Sequence, residues 1–370
     1  MLEALYSIFT TLTWQQQNSQ CRPLPQHVTR TLVPSRGGDL ELLTSTPSIP
    51  DSQTPAIFFA HGGYGSAGVW LDWMTYLHNA GYQGPLYAYS VRNHGASYPV
   101  PYLSMVYRTS LDDVAGDLKT AFDFAKKQEV AEGRSEDMVL VGHSSGGGLA
   151  QYALSKSMIS CRALCLVGAI PHFGATGVYV NWARHDPWFM ARMLLHLQHP
   201  TSPLSSPGLV HGAFFGHEYP ISAVEGFTRW MPKYESMGWP SGMMGSLGAW
   251  WKGKAEWLDV KAIVSNISGA QNDMTHANDI VCVLKGSEDM MMDDSMVARQ
   301  AAEYRDALDL SQYSEESATP RTSTKTIKGA TVESDRRVRV VVVEDAGHHV
   351  QNDVQQEMGA EALLQFVRQC

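Results

Sequence analysis

The sequence predicts an α/β protein, a mostly parallel sheet wrapped by helices and interrupted by a helical insertion. Three observations predict it. Short apolar runs and amphipathic segments alternate through the first 170 residues at the spacing of βαβ units. The alternation stops between about 173 and 276, where seven of the ten tryptophans lie. It resumes with the apolar run at 280–284 and continues to the end of the chain.

Residues 26–46 read as two short strands around a turn at 35–38. The apolar run 56–60 reads as a strand buried on both faces. It leads into His61, Gly62, Gly63, Tyr64 and Gly65. A helix follows over 69–79, with Gly81 as its stop, then a strand at 85–90. Ser110 with Asp113 resembles a capping box and opens an amphipathic helix to about 127. The buried strand at 138–141 runs straight into Gly142, His143, Ser144, Ser145 and Gly146, and a helix begins there. Another strand spans 163–167. In the last third, a helix is expected around 294–308, a strand at 338–343 and a closing helix at 361–368. The stretch 311–334 is rich in Ser, Thr and Lys and reads as a surface loop. This gives an N-terminal extension over 1–25, a core over 26–172 and 277–370, and an insertion over 173–276.

Composition narrows the function. A 44% hydrophobic content is globular, and a net charge of -9 argues against a nucleic-acid binder. Five cysteines, an odd number, suit reduced thiols better than a disulfide scaffold. No apolar run is long enough for a membrane span, and the start of the chain carries Glu3 and no positive cluster. A cytoplasmic location is the expectation.

Residues 142–146 have the form G-x-S-x-G. Alone, such a match arises by chance roughly 0.1 times in a chain of this length. Its position between a buried strand and a helix makes it a sharp turn that presents Ser144 at the strand's C-terminal end. Gly142 and Gly146 allow strand and helix backbones to approach closely. A turn that merely caps a helix is the plainer alternative. A serine hydroxyl needs a general base, and the base an orienting acid. Asp289 follows the strand at 280–284, and His348 and His349 follow the strand at 338–343.

With these motifs together, the chain resembles the capped serine-hydrolase branch of the α/β-hydrolase superfamily. The resemblance rests on His61 to Gly63, on 142–146, on Gly286 to Asp289, and on Ala346 to His348. It implies an eight-stranded, mostly parallel sheet with an inserted helical cap. It implies Ser144 as nucleophile, His348 as base with His349 structural, and Asp289 as acid with Glu288 its rival. It also implies an oxyanion hole from the amides of Ser145 and of Gly63, with Tyr64 second, and a structural role for His61; His94 reads the same way. No cofactor or metal is implied. The match of 63–68 to G-x-G-x-x-G lacks the acidic residue that a dinucleotide site needs on the next strand.

The insertion covers the nucleophile in such proteins. Here Trp182, Trp188, Phe214 and Phe215, with Met190, Met193 and the motif's His143, suit a large apolar acyl group. The same side chains can equally form the insertion's own core. The expected function is hydrolysis of an ester, thioester or lactone of a hydrophobic small molecule through an acyl-enzyme. Three alternatives stay open: an acyltransferase or cyclase using the same acyl-enzyme, a cofactor-free haloperoxidase using the same three residues, and a receptor-like protein that binds without turnover. Oligomeric state is not legible.

Overall fold

The computed structural model describes residues 7–9, 12, 20–244, 257–272, 278–310 and 323–370. Trp250, Trp251, Asp273 and most of the N-terminal extension lie outside the described residues.

Among the described residues, ten strands form one sheet. In chain order they are β1 (Thr29–Pro34), β2 (Asp39–Ser45), β3 (Ile57–Ala60), β4 (Leu86–Tyr89), β5 (Val139–His143), β6 (Ala163–Val167), β7 (Val281–Gly286), β8 (Ser323–Ile327), β9 (Ala330–Asp335) and β10 (Val338–Val343). Their order across the sheet is β1-β2-β4-β3-β5-β6-β7-β10-β9-β8. From β4 to β10 the neighbouring pairs are parallel. β1 and β2 at one edge, and β9 and β8 at the other, join antiparallel. Every residue of β3 to β7 is buried, which explains their unbroken apolar runs.

The sheet has two strands more than the eight that the resemblance implies. The stretch expected to be loop supplies them, since β8 and β9 make a hairpin within it. Its turn residues Lys328 and Gly329 both have positive φ, 43° and 85°. That is the two-residue turn whose twist matches paired strands. The outer strand β8 is almost wholly exposed, so a Ser/Thr/Lys composition is compatible with it.

Helices flank both faces. Leu71–Asn79 packs on Gln356–Val367, and Ser144–Ser155 packs against Leu111–Ala131, which carries the expected capping box. The residues described between β6 and β7 form only helices and turns. Among them, Val260–Val264 packs back on Ser144–Ser155 and on Asp294–Leu310.

Strand register places the site. Ala60 pairs with Gly142, His143 with Val167, Val167 with Leu284, and Gly286 with Val343. The loops after β3, β5, β6, β7 and β10 therefore emerge at one edge of the sheet. The chain leaves β3 for β4 on one side and returns as β5 on the other. A crevice opens at such a reversal, outside the carboxyl ends of the strands.

Glycine is obligatory under the β5 turn. A Cβ on Gly146 would lie 2.1 Å from the His61 carbonyl oxygen. By contrast, a Cβ on Gly116, in the helix Leu111–Ala131, would meet nothing within 4 Å. Gly146→Ala should therefore lower stability by about 1–3 kcal/mol through overpacking. Gly116→Ala should raise it by about 0.5–1 kcal/mol. Urea denaturation of the two variants checks the opposite signs; equal midpoints would refute the steric account.

Candidate active site

Ser144 follows β5 with φ 52°, a left-handed conformation that non-glycine residues rarely adopt. The strain is held by tight packing around it. A Cβ on Gly62 would fall 2.7 Å from the Ser144 Cβ, and one on Gly142 2.6 Å from the Gly147 Cα. The Ser144 carbonyl accepts the Ile170 amide at 3.0 Å. These contacts leave the serine side chain at the start of the helix Ser144–Ser155.

The structure brings the sequence-selected trio together. His348 Nε2 lies 2.9 Å from Ser144 Oγ, and His348 Nδ1 lies 2.9 Å from Asp289 Oδ2. A proton on Nδ1, bonded to the carboxylate, leaves Nε2 free to accept the serine proton; this tautomer follows from the network. The other carboxylate oxygen, Oδ1, accepts the amides of Met291 and Met292 at 2.9 and 3.0 Å. Buried Lys285 steadies the same loop by donating to the Met292 carbonyl at 3.0 Å and to Asp294 at 2.7 Å. Both His348 and Asp289 are buried.

Glu288 is held elsewhere. It accepts the His217 amide at 2.7 Å, and its other oxygen lies 2.5 Å from His217 Nδ1. His217, Glu288 and Asp345 bring potential ligand atoms within 4.8 Å of one another, but all three are exposed. His349 is engaged elsewhere. Its Nδ1 lies 3.1 Å from Asn352 Oδ1, and burial, with the neighbouring His348, lowers its pKa to about 3.

Three expected pocket residues have other contacts. His143 is buried, and its Nε2 donates to the His348 carbonyl at 3.1 Å. Burial, reinforced by His349 and His348, holds its pKa well below the ordinary imidazole value, so it is neutral. Phe214 and Phe215 are buried against the histidine loop. The Phe214 ring lies 4.6 Å from that of His349, and the Phe214 carbonyl accepts the His349 amide at 2.7 Å. Phe215 stacks on Tyr219 at 3.8 Å. An apolar side chain in the insertion could face either substrate or the loops below, and sequence pattern does not distinguish the two. Trp182 packs on Tyr179 and Phe189, and Trp188 is half-buried before the helix Phe189–Leu195.

The loop after β3 is held from below and above. His61 Nδ1 donates to the Gly62 carbonyl at 2.8 Å, and its Nε2 accepts the Val91 amide at 3.1 Å. Burial, with His94 nearby, lowers its pKa to about 3. From above, Glu235 accepts the Tyr64 amide at 3.0 Å, and the Tyr64 hydroxyl donates to the Pro200 carbonyl. The Gly63 amide donates to Ser145 Oγ at 2.7 Å. Both candidate amides of this loop therefore already have acceptors.

Glu235 is the residue that the sequence reading misses. It is buried and pairs with His94 Nε2 at 2.9 Å, 141 residues away in sequence. His94 Nδ1 donates to the Arg92 carbonyl at 2.8 Å, so both ring nitrogens face acceptors and the imidazole is cationic. Burial alone would lower its pKa, but Glu235 outweighs burial and raises it. Burial likewise opposes the charge on Glu235; His94 and two backbone amides prevail and lower its pKa. Gly168, with φ 49°, is also missed. A Cβ there would lie 3.1 Å from Asp289 Oδ2 and 3.2 Å from the His348 ring.

A mostly parallel sheet with these loops at one edge is the architecture of a hydrolase class. Residues 57–362 match the model of the alpha/beta hydrolase family, and the chain belongs to that family. It is a hydrolase of that fold. It is similar to a carboxylesterase from Bacillus subtilis, with a TM-score of 0.53 and 16% identity, over 99% of this chain and 97% of that one. It is also similar to an enol-lactonase from Burkholderia xenovorans LB400 (TM-score 0.52, 13% identity, 92% and 100% covered). A third similar structure is the 2-hydroxy-6-oxo-6-phenylhexa-2,4-dienoate hydrolase of Rhodococcus sp. strain RHA1 (TM-score 0.50, 14% identity, 92% and 99% covered). At these identities the likeness is one of fold. A search of curated proteins found no match. Among the described residues no helix is long and apolar enough to cross a membrane.

The buried pair makes stability depend on pH. His94 has a raised pKa, so its contribution is complete below the ordinary value of 6.5 and is lost as pH rises through the raised one. Glu235 has a lowered pKa, so its contribution is complete above 4.5 and is lost as pH falls through the lowered one. His61, Tyr64 and Asp117 also face the pair. Glu235→Gln should therefore cost most between these two ordinary values, on the order of 3 kcal/mol. The deficit should shrink in alkali, where wild-type His94 is neutral. Denaturant titrations at about pH 5.5 and pH 9.5 test this; an equal deficit at both would refute charge pairing.

Proposed function

We propose that the protein is a serine hydrolase that cleaves a carboxylic ester, thioester or lactone of a hydrophobic small molecule through an acyl-enzyme. One observation carries the reading: the continuous hydrogen-bonded series Ser144 Oγ, His348 Nε2, His348 Nδ1, Asp289 Oδ2. In the first step Ser144 Oγ bonds to the substrate carbonyl carbon, and its proton passes to His348 Nε2. The carbonyl π pair moves to oxygen at the N-terminus of the helix Ser144–Ser155, where unpaired amides favour negative charge. Asp289 stabilises the imidazolium without taking its proton. His348 then protonates the leaving alcohol or thiol as the bond to it breaks. A water, deprotonated by His348, attacks the acyl carbon, and Ser144 recovers its proton as the acid departs.

We read the helices after β6 as a cap on this site. The cap rests on the loops that carry the chemistry, since Gly216 and Gly347 both donate to Asp353 at 2.8 Å. The apolar and aromatic content of the insertion supports an apolar acyl group. Family membership and the fold of esterase and lactonase relatives support ester chemistry.

A fluorophosphonate should label Ser144, as mapped by mass spectrometry, and Ser144→Ala and His348→Ala should not be labelled. On p-nitrophenyl esters, Asp289→Asn should lower kcat by roughly 10³–10⁴-fold, because the imidazole loses its orienting acceptor. Glu288→Gln should stay within about threefold of wild type, since Glu288 faces His217. Full activity in Asp289→Asn, or loss in Glu288→Gln, would reassign the acid. A folded wild type that neither labels nor turns over would refute the hydrolase reading in favour of ligand binding.

A further inference from the structure

An oxyanion formed on Ser144 needs at least two donors, and the loop after β3 is expected to give one. In this chain neither loop amide is free. Tyr64 donates to the buried Glu235 carboxylate, and Gly63 donates to Ser145 Oγ at 2.7 Å. Glu235 is held by three donors, the Tyr64 amide, His94 and the Ser236 amide, so the Tyr64 amide has a strong competitor for any substrate oxygen. The Gly63 bond differs, because its acceptor is itself a donor. A hydroxyl that accepts an N–H still has its own proton to give. Among the described residues no acceptor for the Ser145 hydroxyl proton is present. This hydroxyl is buried, stands next to Ser144 and lies in the first turn of the helix Ser144–Ser155. The loop passes close to it, since a Cβ built on Gly63 would meet Ser145 Oγ at 3.4 Å and otherwise only Glu235, at 3.8 Å.

We infer that the Ser145 side-chain hydroxyl is a catalytic donor to the oxyanion, and that the Gly63 amide acts through it. The inference rests on the serine-hydrolase reading of the same site. When Ser144 Oγ bonds to the acyl carbon, the oxyanion accepts the Ser145 amide and the Ser145 O–H. The Gly63 N–H stays on Ser145 Oγ and polarises it, as linked hydrogen bonds do. No proton leaves Ser145. The only transferred proton goes from Ser144 to His348 Nε2. The opposite role is a plug: the hydroxyl would occupy the oxyanion's place and have to rotate away to release the Gly63 amide. The two roles predict opposite effects of deleting the hydroxyl.

The experiment compares wild type, Ser145→Ala, Ser145→Thr and Ser145→Val on p-nitrophenyl butyrate, with active sites counted by fluorophosphonate titration. Thr and Val fill the same volume and differ only in the hydroxyl, so packing losses cancel between them. Loss of an oxyanion donor lowers kcat by on the order of 100-fold, and somewhat less where a water substitutes. The expected result is a kcat at least tenfold lower in Ser145→Ala than in wild type. Ser145→Val should be lower than Ser145→Thr by a similar factor. KM should change by less than about threefold, since the interaction is made in the transition state. Should Ser145→Ala not fold, the Thr–Val ratio decides alone. A kcat in Ser145→Ala equal to or above wild type, or equal kcat in Thr and Val, overturns the inference and leaves the hydrolase reading intact. Wild type without labelling or turnover overturns both.

Discussion

The close approach of backbone segments at the sheet's carboxyl edge is the constraint on which the site depends. Each loop that reaches this edge brings a glycine whose missing side chain lets another loop in. Gly62 faces Ser144, Gly146 faces the His61 carbonyl, and Gly147 faces Ala169. Gly168 backs the bond between Asp289 and His348, and Gly286 meets the carbonyls of Ala346 and Gly347 at 2.1 and 2.3 Å from where a Cβ would sit. Five strand ends are thereby drawn together closely enough for side chains of different loops to bond at 2.9 Å. The left-handed strain at Ser144 persists because its surroundings over-determine it.

Electrostatics follows from the same crowding. Five histidines, His61, His94, His143, His348 and His349, lie buried near one another. In a low-dielectric interior they cannot all be charged. His61, His143 and His349 are neutral, each with its pKa lowered by burial and then by another histidine. His94 and His348 each have a carboxylate as partner, Glu235 and Asp289, and the His94 charge is placed at the loop after β3, away from Ser144. Neutral neighbours suit the base we propose, His348, which must become cationic in mid-reaction, because they add no standing repulsion to that step.

What was legible in the sequence was what a few adjacent residues encode. The run from a buried strand through 142–146 into a helix states its own geometry, and the same holds for the strand ends before Asp289 and His348. Parallel strands align those ends, so the meeting of three distant motifs followed from topology rather than from any pair of residues. The hairpin of β8 and β9 was hidden by polar composition, although its Lys328-Gly329 turn sits between alternating residues. The His94–Glu235 pair was not legible, because nothing local links Arg92–Gly95 to the middle of the insertion. The occupied Gly63 amide was hidden for a different reason: a motif names the backbone donor but not the neighbouring side chain that takes it.

The insertion's grip on the site bears on how substrate can enter. Lifting Glu235 from Tyr64 and His94 would separate a buried cation from a buried anion, at a cost on the order of 3–5 kcal/mol unless both regained solvent. Lifting Phe214 to Gly216 would take one of its donors from the Asp353 carboxylate and the acceptor from the His349 amide. These two anchors hold the loop after β3 and the loop after β10, which carry the proposed oxyanion donor and the proposed base. Moving either would disturb the proposed catalytic geometry. The helix Phe189–Leu195, whose Met190, Leu194 and Leu195 are exposed, carries neither anchor, although Pro200 just beyond it accepts the Tyr64 hydroxyl. A site built this way keeps its chemistry fixed while its walls differ, which is how one set of strand ends can serve substrates of different shape.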